Sequence, residues 1–445
     1  MEKKQFFKAL FMLGVPIALQ NLIVNGLNFL DTIMIGRLGG LEIAAVGLAN
    51  QIFFIFSVVM FGVCSGTAVF TAQFWGDKNL DGFNKATAAG LLFSVVPTLV
   101  MFGLAFFFPE MVMGLFTQDQ ELIALSSRYL KVASFSYLFA AGAFLYEQVM
   151  KSSEQVRFPL YVSMVAFGVN TILNYLLIFG HFGFPAMGVE GAALATVISR
   201  MVEFSLVIGL IFLRNMPGAI HAKSFQHIDQ KYLKNFMYVV GPVILNEISW
   251  VLGISMYMAV YGRMSAQAVT VVSITITVER LLQVLYFGLG GASSIMIGNI
   301  LGTRDKEMAQ RYGARLLRVS FWGGMLLGLL MILLAPIVVM PFNIDSETTL
   351  MTIRTIRVMG LAVGIRSYNI TMITGVLRAG GDTRYCLMLD TVGVWLVALP
   401  LGYLAGLVWG LPVYWVYFIF IAEDFFKIVV GTLRFRSKKW INVLT

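Results

Sequence analysis

The sequence predicts an all-α polytopic membrane protein: twelve transmembrane helices in two six-helix bundles related by a pseudo-two-fold axis along the membrane normal. Three observations lead there. First, 58% of the 445 residues are hydrophobic and only 12% are charged, with a mean hydropathy of +0.82, whereas a soluble domain carries about 25% charged residues. Second, twelve apolar segments can be marked, at roughly 10–35, 44–74, 86–108, 126–149, 159–180, 190–213, 235–261, 267–300, 319–340, 353–377, 386–408 and 412–433. Each is long enough to cross a hydrocarbon core, which takes about 20 residues. Third, the two halves repeat. Gly14-Val15-Pro16 is echoed by Val240-Gly241-Pro242, and the same offset of 226 carries Leu19-Gln20-Asn21 onto Leu245-Asn246-Glu247. It also carries Gly36-Arg37-Leu38 onto Gly262-Arg263-Met264, Lys131-Val132 onto Arg357-Val358, Gly62 onto Gly288 and Gly76 onto Gly302. Six segments per half make both halves enter the bilayer from the same side, as in parallel repeats.

The lysine-rich start before segment 1 resembles a signal peptide, but the apolar run is too long and lacks a small-residue cleavage site. It reads as a retained first helix. Within it, Gln20, Asn21, Asn25, Asn28 and Asp31 fall in one arc of less than half the helix circumference at about 100° per residue. A carboxylate at membrane depth costs roughly 2.5–3.5 kcal/mol on insertion scales, so this face is expected to look onto a water-filled or protein-lined cavity. Asp31 is the leading candidate for binding a cation or proton there; an acid satisfied by neighbouring amides and kept for packing is the alternative. Gln51 in segment 2 and Tyr137 in segment 4 are further cavity-lining candidates. Segment 5 carries Asn170 and Asn174 four apart, on one face, and segment 6 adds Thr196. Carboxylate, amide and hydroxyl oxygens are hard ligands suited to a small cation, so these four residues form a candidate cluster if the helices adjoin, with Na+ one candidate ion at Asp31.

The longest connection, about 214–234, falls midway and divides the chain into an N-terminal bundle, 1–220, and a C-terminal bundle, 221–445. In the second half the offset carries Asp31 onto Tyr257, so the acid has no counterpart. Glu247, beside Asn246, stands opposite Asn21 instead. Glu247, Glu279, Arg366 and Asp390 make a second set of intramembrane polar groups, with Arg280 a further charge. They form either a functional site or pairs that neutralise each other in the bundle interior. Glu147, Glu423, Asp424 and Lys427 are expected close enough to the interface for water to reach them. Pro16 and Pro242 each remove a backbone donor near one end of segments 1 and 7 and are hinge candidates. With the N-terminus placed in the cytoplasm, the inner loops and ends hold 22 of the 32 Lys and Arg, an asymmetry that favours both termini inside.

Composition also excludes classes. The net charge of +9 is spread through short loops rather than gathered on one face, so no nucleic-acid partner is expected. Cys64 and Cys386 lie in apolar segments with no metal-ligand spacing. No Walker loop or H-E-x-x-H is present, and Gly62-Val63-Cys64-Ser65-Gly66 misses the serine-nucleophile spacing. An enzyme is not expected, and without a nucleotide motif any transport must run on an ion gradient or a partner. Abundant Phe, Tyr and Met suit a cavity for apolar cations, or ordinary packing.

Several stretches together resemble the multidrug and toxic compound extrusion (MATE) transporters. They are Asp31-Thr32-Ile33-Met34-Ile35-Gly36, Asn170-x-x-x-Asn174 followed by Gly191-Ala192-Ala193-Leu194-Ala195-Thr196, and Gly375-Val376-Leu377-Arg378-Ala379-Gly380-Gly381-Asp382. The resemblance covers essentially the whole chain. It implies a multi-pass protein of the plasma (inner) membrane that exports organic cations or drugs in exchange for Na+ or H+, with no cofactor. It implies a coupling-cation site at Asp31, Asn170, Asn174 and Thr196. The second residue of the segment 5 pair is commonly an aspartate in that family, and Asn174 departs from it, which puts the coupling ion in question. Glu247 roughly matches the segment 7 glutamate of another branch, whose segment 10 acid has no match here. A monomer is expected. The rival readings are a lipid-linked precursor flippase, which would want more cavity cations than Arg280 and Arg366, and a membrane receptor or assembly subunit without transport.

Overall fold

The computed structural model describes residues 3–226, 228–342 and 344–445, and among them every regular element is helical. The first repeat contains α1 (Lys3–Gly36), α2 (Gly40–Gly76), α3 (Leu80–Phe107), the short α4 (Pro109–Gly114), α5 (Gln120–Ala133), α6 (Phe135–Ser152), α7 (Arg157–Phe179) and α8 (Gly188–Leu213). After a short α9 (Ala222–Gln226), the second repeat runs through α10 (Gln230–Met264), α11 (Ala266–Gly302), α12 (Lys306–Val339) and α13 (Ser346–Ile370). It continues through α14 (Thr383–Thr391), α15 (Leu399–Tyr403), α16 (Val413–Phe420) and α17 (Ala422–Arg436). Helix starts follow local chemistry. Asn79, Asp119, Ser265, Asp305 and Asp345 each accept a hydrogen bond from a backbone N–H of the first turn they cap. Gly180, at φ 73°, closes α7 in the left-handed conformation that a residue with a Cβ resists.

Among the described residues ten helices are long and apolar enough to cross a membrane, and large apolar side chains such as Phe29, Trp322, Leu326 and Leu333 stand exposed on them, as lipid-facing residues do. At 1.5 Å per residue α2 is about 55 Å long, well beyond a hydrocarbon core of roughly 30 Å, so its ends reach out of it. The remaining two of the twelve expected segments are each crossed by a helix pair. Segment 4 is α5 and α6, broken at Ser134, whose Oγ donates to the Lys131 carbonyl at 2.8 Å while its own carbonyl accepts the Tyr137 N–H in a tight turn. Segment 12 is α16 and α17, which meet at a similar turn around Ile421. Segments 10 and 11 contain π-helical stretches at Thr371–Leu377, Val392–Ala398 and Leu404–Val408, which widen the helix locally.

Two compact units emerge, and their membership differs from a division at residue 220. One comprises Leu19–Ile244, the other Met1–Ala18 with Leu245–Thr445. The first part of α1 therefore packs with the second repeat, and the first part of α10 with the first. Matched contacts explain this. In the first unit a Cβ on Gly62 of α2 would lie 2.7 Å from Ile244 Cα. In the other, a Cβ on Gly288 of α11 would lie 2.8 Å from Ala18 Cβ. Gly62 and Gly288 are equivalent under the 226-residue offset, as are Ala18 and Ile244, so one glycine-mediated contact is made twice. Within the second unit, Gly324 and Gly328 of α12 meet Gly360 and Gly364 of α13, with a Cβ on Gly328 falling 2.1 Å from the Gly360 carbonyl oxygen. Small residues spaced four apart let helix backbones approach this closely.

Candidate functional site

In the Leu19–Ile244 unit, α7 and α8 carry polar groups that gather around Asp31. Gly191 lets α8 lie against the α7 backbone, where a Cβ would come 2.5 Å from the Leu177 carbonyl oxygen. This approach brings Asn170 on α7 against Ser199 on α8. Asn174 Nδ2 donates to the Asp31 carboxylate at 2.5 Å and to Asn170 Oδ1 at 2.9 Å, and Asn170 Nδ2 reaches Ser199 Oγ at 3.5 Å. Thr196 donates to the Ala192 carbonyl at 3.0 Å, one turn before Ser199 on α8, and the buried Tyr129 of α5 lies in the field of Asp31. The Asp31 carboxylate is half-buried, with the Arg200 guanidinium in its field. That guanidinium is itself ion-paired with Glu203 at 2.6 Å and lies over the Phe53 and Phe144 rings. Among the described residues Asp31 has no ion-pair partner within 4 Å; its direct neighbour is a neutral amide. An amide can donate to the carboxylate where a second carboxylate would repel it.

The other unit is arranged differently. Arg366 of α13 pairs with Glu279 of α11 and, at 3.0 Å, with Asp424 of α17, and also donates to the Tyr417 hydroxyl at 3.1 Å. Asn369 donates to Asp424. One turn further along α17, Lys427 pairs with Asp390 at 2.9 Å and Glu423 at 3.2 Å. Glu247 pairs with the buried Arg378 at 2.8 Å. Every acid named in this unit has a basic partner in contact.

The structure thus brings Asp31, Asn170 and Asn174 into one hydrogen-bonded cluster with Ser199, while the Thr196 hydroxyl, one turn from Ser199, is bonded within its own helix. It places Glu279, Arg366 and Asp390 in a buried network together with Asp424 and Lys427, with Glu247 beside it. Asn25, Asn28 and Gln51 are exposed and Asn21 half-buried. Three expectations need correction. Tyr137, expected to line a cavity, is buried in the core and stacks on Phe56 at 5.0 Å. Gln20 and Asn246 are also buried, Gln20 holding Glu147. Glu147, Asp424 and Lys427 are buried and partnered rather than open to water, and Glu423 is half-buried on Lys427. Arg280 lies exposed on α11. The reading of the residues missed Arg200, Glu203, Ser199 and Tyr129. The i,i+3 spacing of Arg200 and Glu203 in an apolar segment was the available signal.

Comparison with known proteins places this arrangement. A family model described as MatE matches residues 16–176 and again 242–404, so the two matches start 226 residues apart, the offset of the internal repeat. The uncharacterised transporter YisQ of Bacillus subtilis (strain 168) is 22% identical over 98% of this chain and 95% of its own. A probable multidrug resistance protein NorM of Thermotoga maritima is 24% identical over 99% of this chain and 94% of its own. Among solved structures, a MATE in the bent conformation superposes with a TM-score of 0.88, covering 98% of this chain and 96% of its own at 19% identity. The same fold is found in an outward-facing multidrug resistance MATE transporter, at a TM-score of 0.87 and 18% identity over 97% and 96% of the two chains. With both repeats matched and the fold shared from end to end, the chain belongs to the MATE family of multidrug transporters, whose members move molecules across membranes and are not enzymes.

Proposed function

We propose that this MATE protein is a secondary antiporter of the plasma membrane, exporting amphipathic organic cations in exchange for Na+ or H+, with Asp31 as the coupling acid. The observation that carries the proposal is a contrast in charge pairing. Glu203, Glu247, Glu279, Asp390, Glu423 and Asp424 each have a basic side chain in contact. Among the described residues Asp31 has an amide, Asn174, in contact and no basic side chain within 4 Å, with Arg200 acting on it from further off. A carboxylate away from bulk water needs its charge neutralised. Where the protein supplies no basic partner in contact, a coupling cation or a proton can. Asn170, Asn174 and Thr196 then provide neutral oxygens around that cation and leave the acid's charge to set its affinity.

Alternating access in this reading has each unit moving as a body, with both termini cytoplasmic and the protein acting as a monomer. The helices that pass from one unit to the other support it. The boundary falls after Ala18 in α1 and after Ile244 in α10, two residues past Pro16 and Pro242, where a missing backbone donor softens the helix. These are the proposed hinges. The test is efflux of a fluorescent organic cation from proteoliposomes under an imposed Na+ gradient and, separately, an imposed pH gradient. One of the two is expected to drive efflux and so name the coupling ion. No flux under either gradient would remove the antiporter reading.

A further inference from the structure

Asp31 is not the only acid of the Leu19–Ile244 unit without an ion pair. Glu147 of α6 lies among apolar helices with 7% of its surface exposed, and no basic nitrogen comes within 4 Å of it among the described residues. It is held by Gln20 of α1, itself 2% exposed, whose Nε2 donates to Glu147 Oε2 at 2.8 Å and to Ser163 Oγ of α7 at 3.0 Å. The other carboxylate oxygen, Oε1, is buried with no hydrogen-bond partner, as is Gln20 Oε1. An acceptor left bare at this depth is costly for a carboxylate, and a proton on that oxygen removes most of the charge that makes it so.

Other charged groups lie around it without pairing with it. Glu203 and Arg200 face it from α8, and Lys151 stands one turn along its own helix. Cys64 of α2 is the further titratable neighbour. Arg200 is committed to Glu203, yet it faces both Glu147 and Asp31, so one guanidinium lies in the field of two unpaired acids. A small cavity, with about 10 Å³ open to the centre of a water molecule, lies beside Arg200 among Ser163, Ser199 and Glu203. That is close to the least room one water needs. Its two serines join the Gln20–Glu147 end of the unit to the Asn170–Asn174–Asp31 end.

From this geometry we infer that Glu147 is a second proton-binding station of the N-terminal unit, linked to Asp31 through the shared Arg200 and through Gln20 on the helix that carries Asp31. Glu147 takes one proton from water and returns it to water; no bond other than O–H forms or breaks. Neutralising either acid removes a negative charge from the field of Arg200, so the other acid keeps its own charge more readily and the two sites load interdependently. This inference rests on the reading of Asp31 as the coupling acid, but its test does not.

The test is the infrared carboxylic-acid band of the purified full-length protein, followed through a pH titration. The wild type is expected to show two titrating components. Glu147→Gln should remove one and Asp31→Asn the other. In each variant the surviving component should shift its midpoint by on the order of one pH unit. Under the driving gradient, Glu147→Gln should lower efflux about tenfold while leaving binding of the fluorescent cation intact. Gln20→Met keeps the acid and removes its donor, so it gives the answer even if Glu147→Gln fails to fold: the Glu147 component should remain but move. A band and an efflux rate unchanged in Glu147→Gln, or a component unmoved in Gln20→Met, would overturn the inference. Normal export by Asp31→Asn would overturn the coupling role of Asp31 and leave the infrared result on Glu147 standing.

Discussion

Side chains that share an apolar environment meet different fates according to their partners. Glu279 and Asp424 are tied to Arg366, and Asp390 to Lys427, whereas Asp31 rests on an amide. Replacing that amide with a second acid tests the difference. Asn174→Asp places two carboxylates in contact, which can coexist only with a proton or cation between them. It is expected to tighten binding of the coupling ion about tenfold, or about 1.4 kcal/mol, measured by ion-dependent efflux or calorimetry. The Asp31 cluster was legible because polar residues in an apolar run stand out, and because spacing of four puts Asn170 and Asn174 on one face. The Gln20–Glu147 bond was not, since it joins residues 127 apart and each had an ordinary explanation alone. Tyr137 misled because aromatic residues in membrane segments serve cores and cavities equally well.

At the level of helices, the second unit depends on buried charge and on close backbone contact. Removing Arg366 strands Glu279 and Asp424 without their cation, so Arg366→Met is expected to cost about 3–5 kcal/mol, read as a lower Tm in detergent. Gly328→Leu forces a side chain into the Gly360 carbonyl and should cost at least the roughly 1–3 kcal/mol of overpacking, by the same measurement. Pro16→Ala restores a donor at the boundary between units; export is expected to slow while Tm stays level or rises. Helix existence was readable from apolar length. The break at Ser134 and the π-helical turns were not, because they depend on hydroxyl-to-carbonyl bonds and tertiary packing that no periodicity records.

For the molecule as a whole, the internal repeat was readable in full from one offset, and the family match repeats it. The exchange of the first parts of α1 and α10 between units was not readable, because apolar periodicity shows that a helix is buried without showing against what. Gly62 and Gly288 turned out to mark the contact. The predicted topology places both termini in the cytoplasm, so a single cysteine introduced at Thr445 should react with a membrane-impermeant thiol reagent only in inside-out vesicles; Cys64 and Cys386 are buried and should stay silent. The central claim is that one unpaired acid in the first helix couples an ion gradient to export, and it is tested most directly by Asp31→Asn in proteoliposomes. With equal amounts of folded protein, gradient-driven efflux of the organic cation should vanish in the variant and persist in the wild type. Efflux at the wild-type rate in Asp31→Asn would contradict the account.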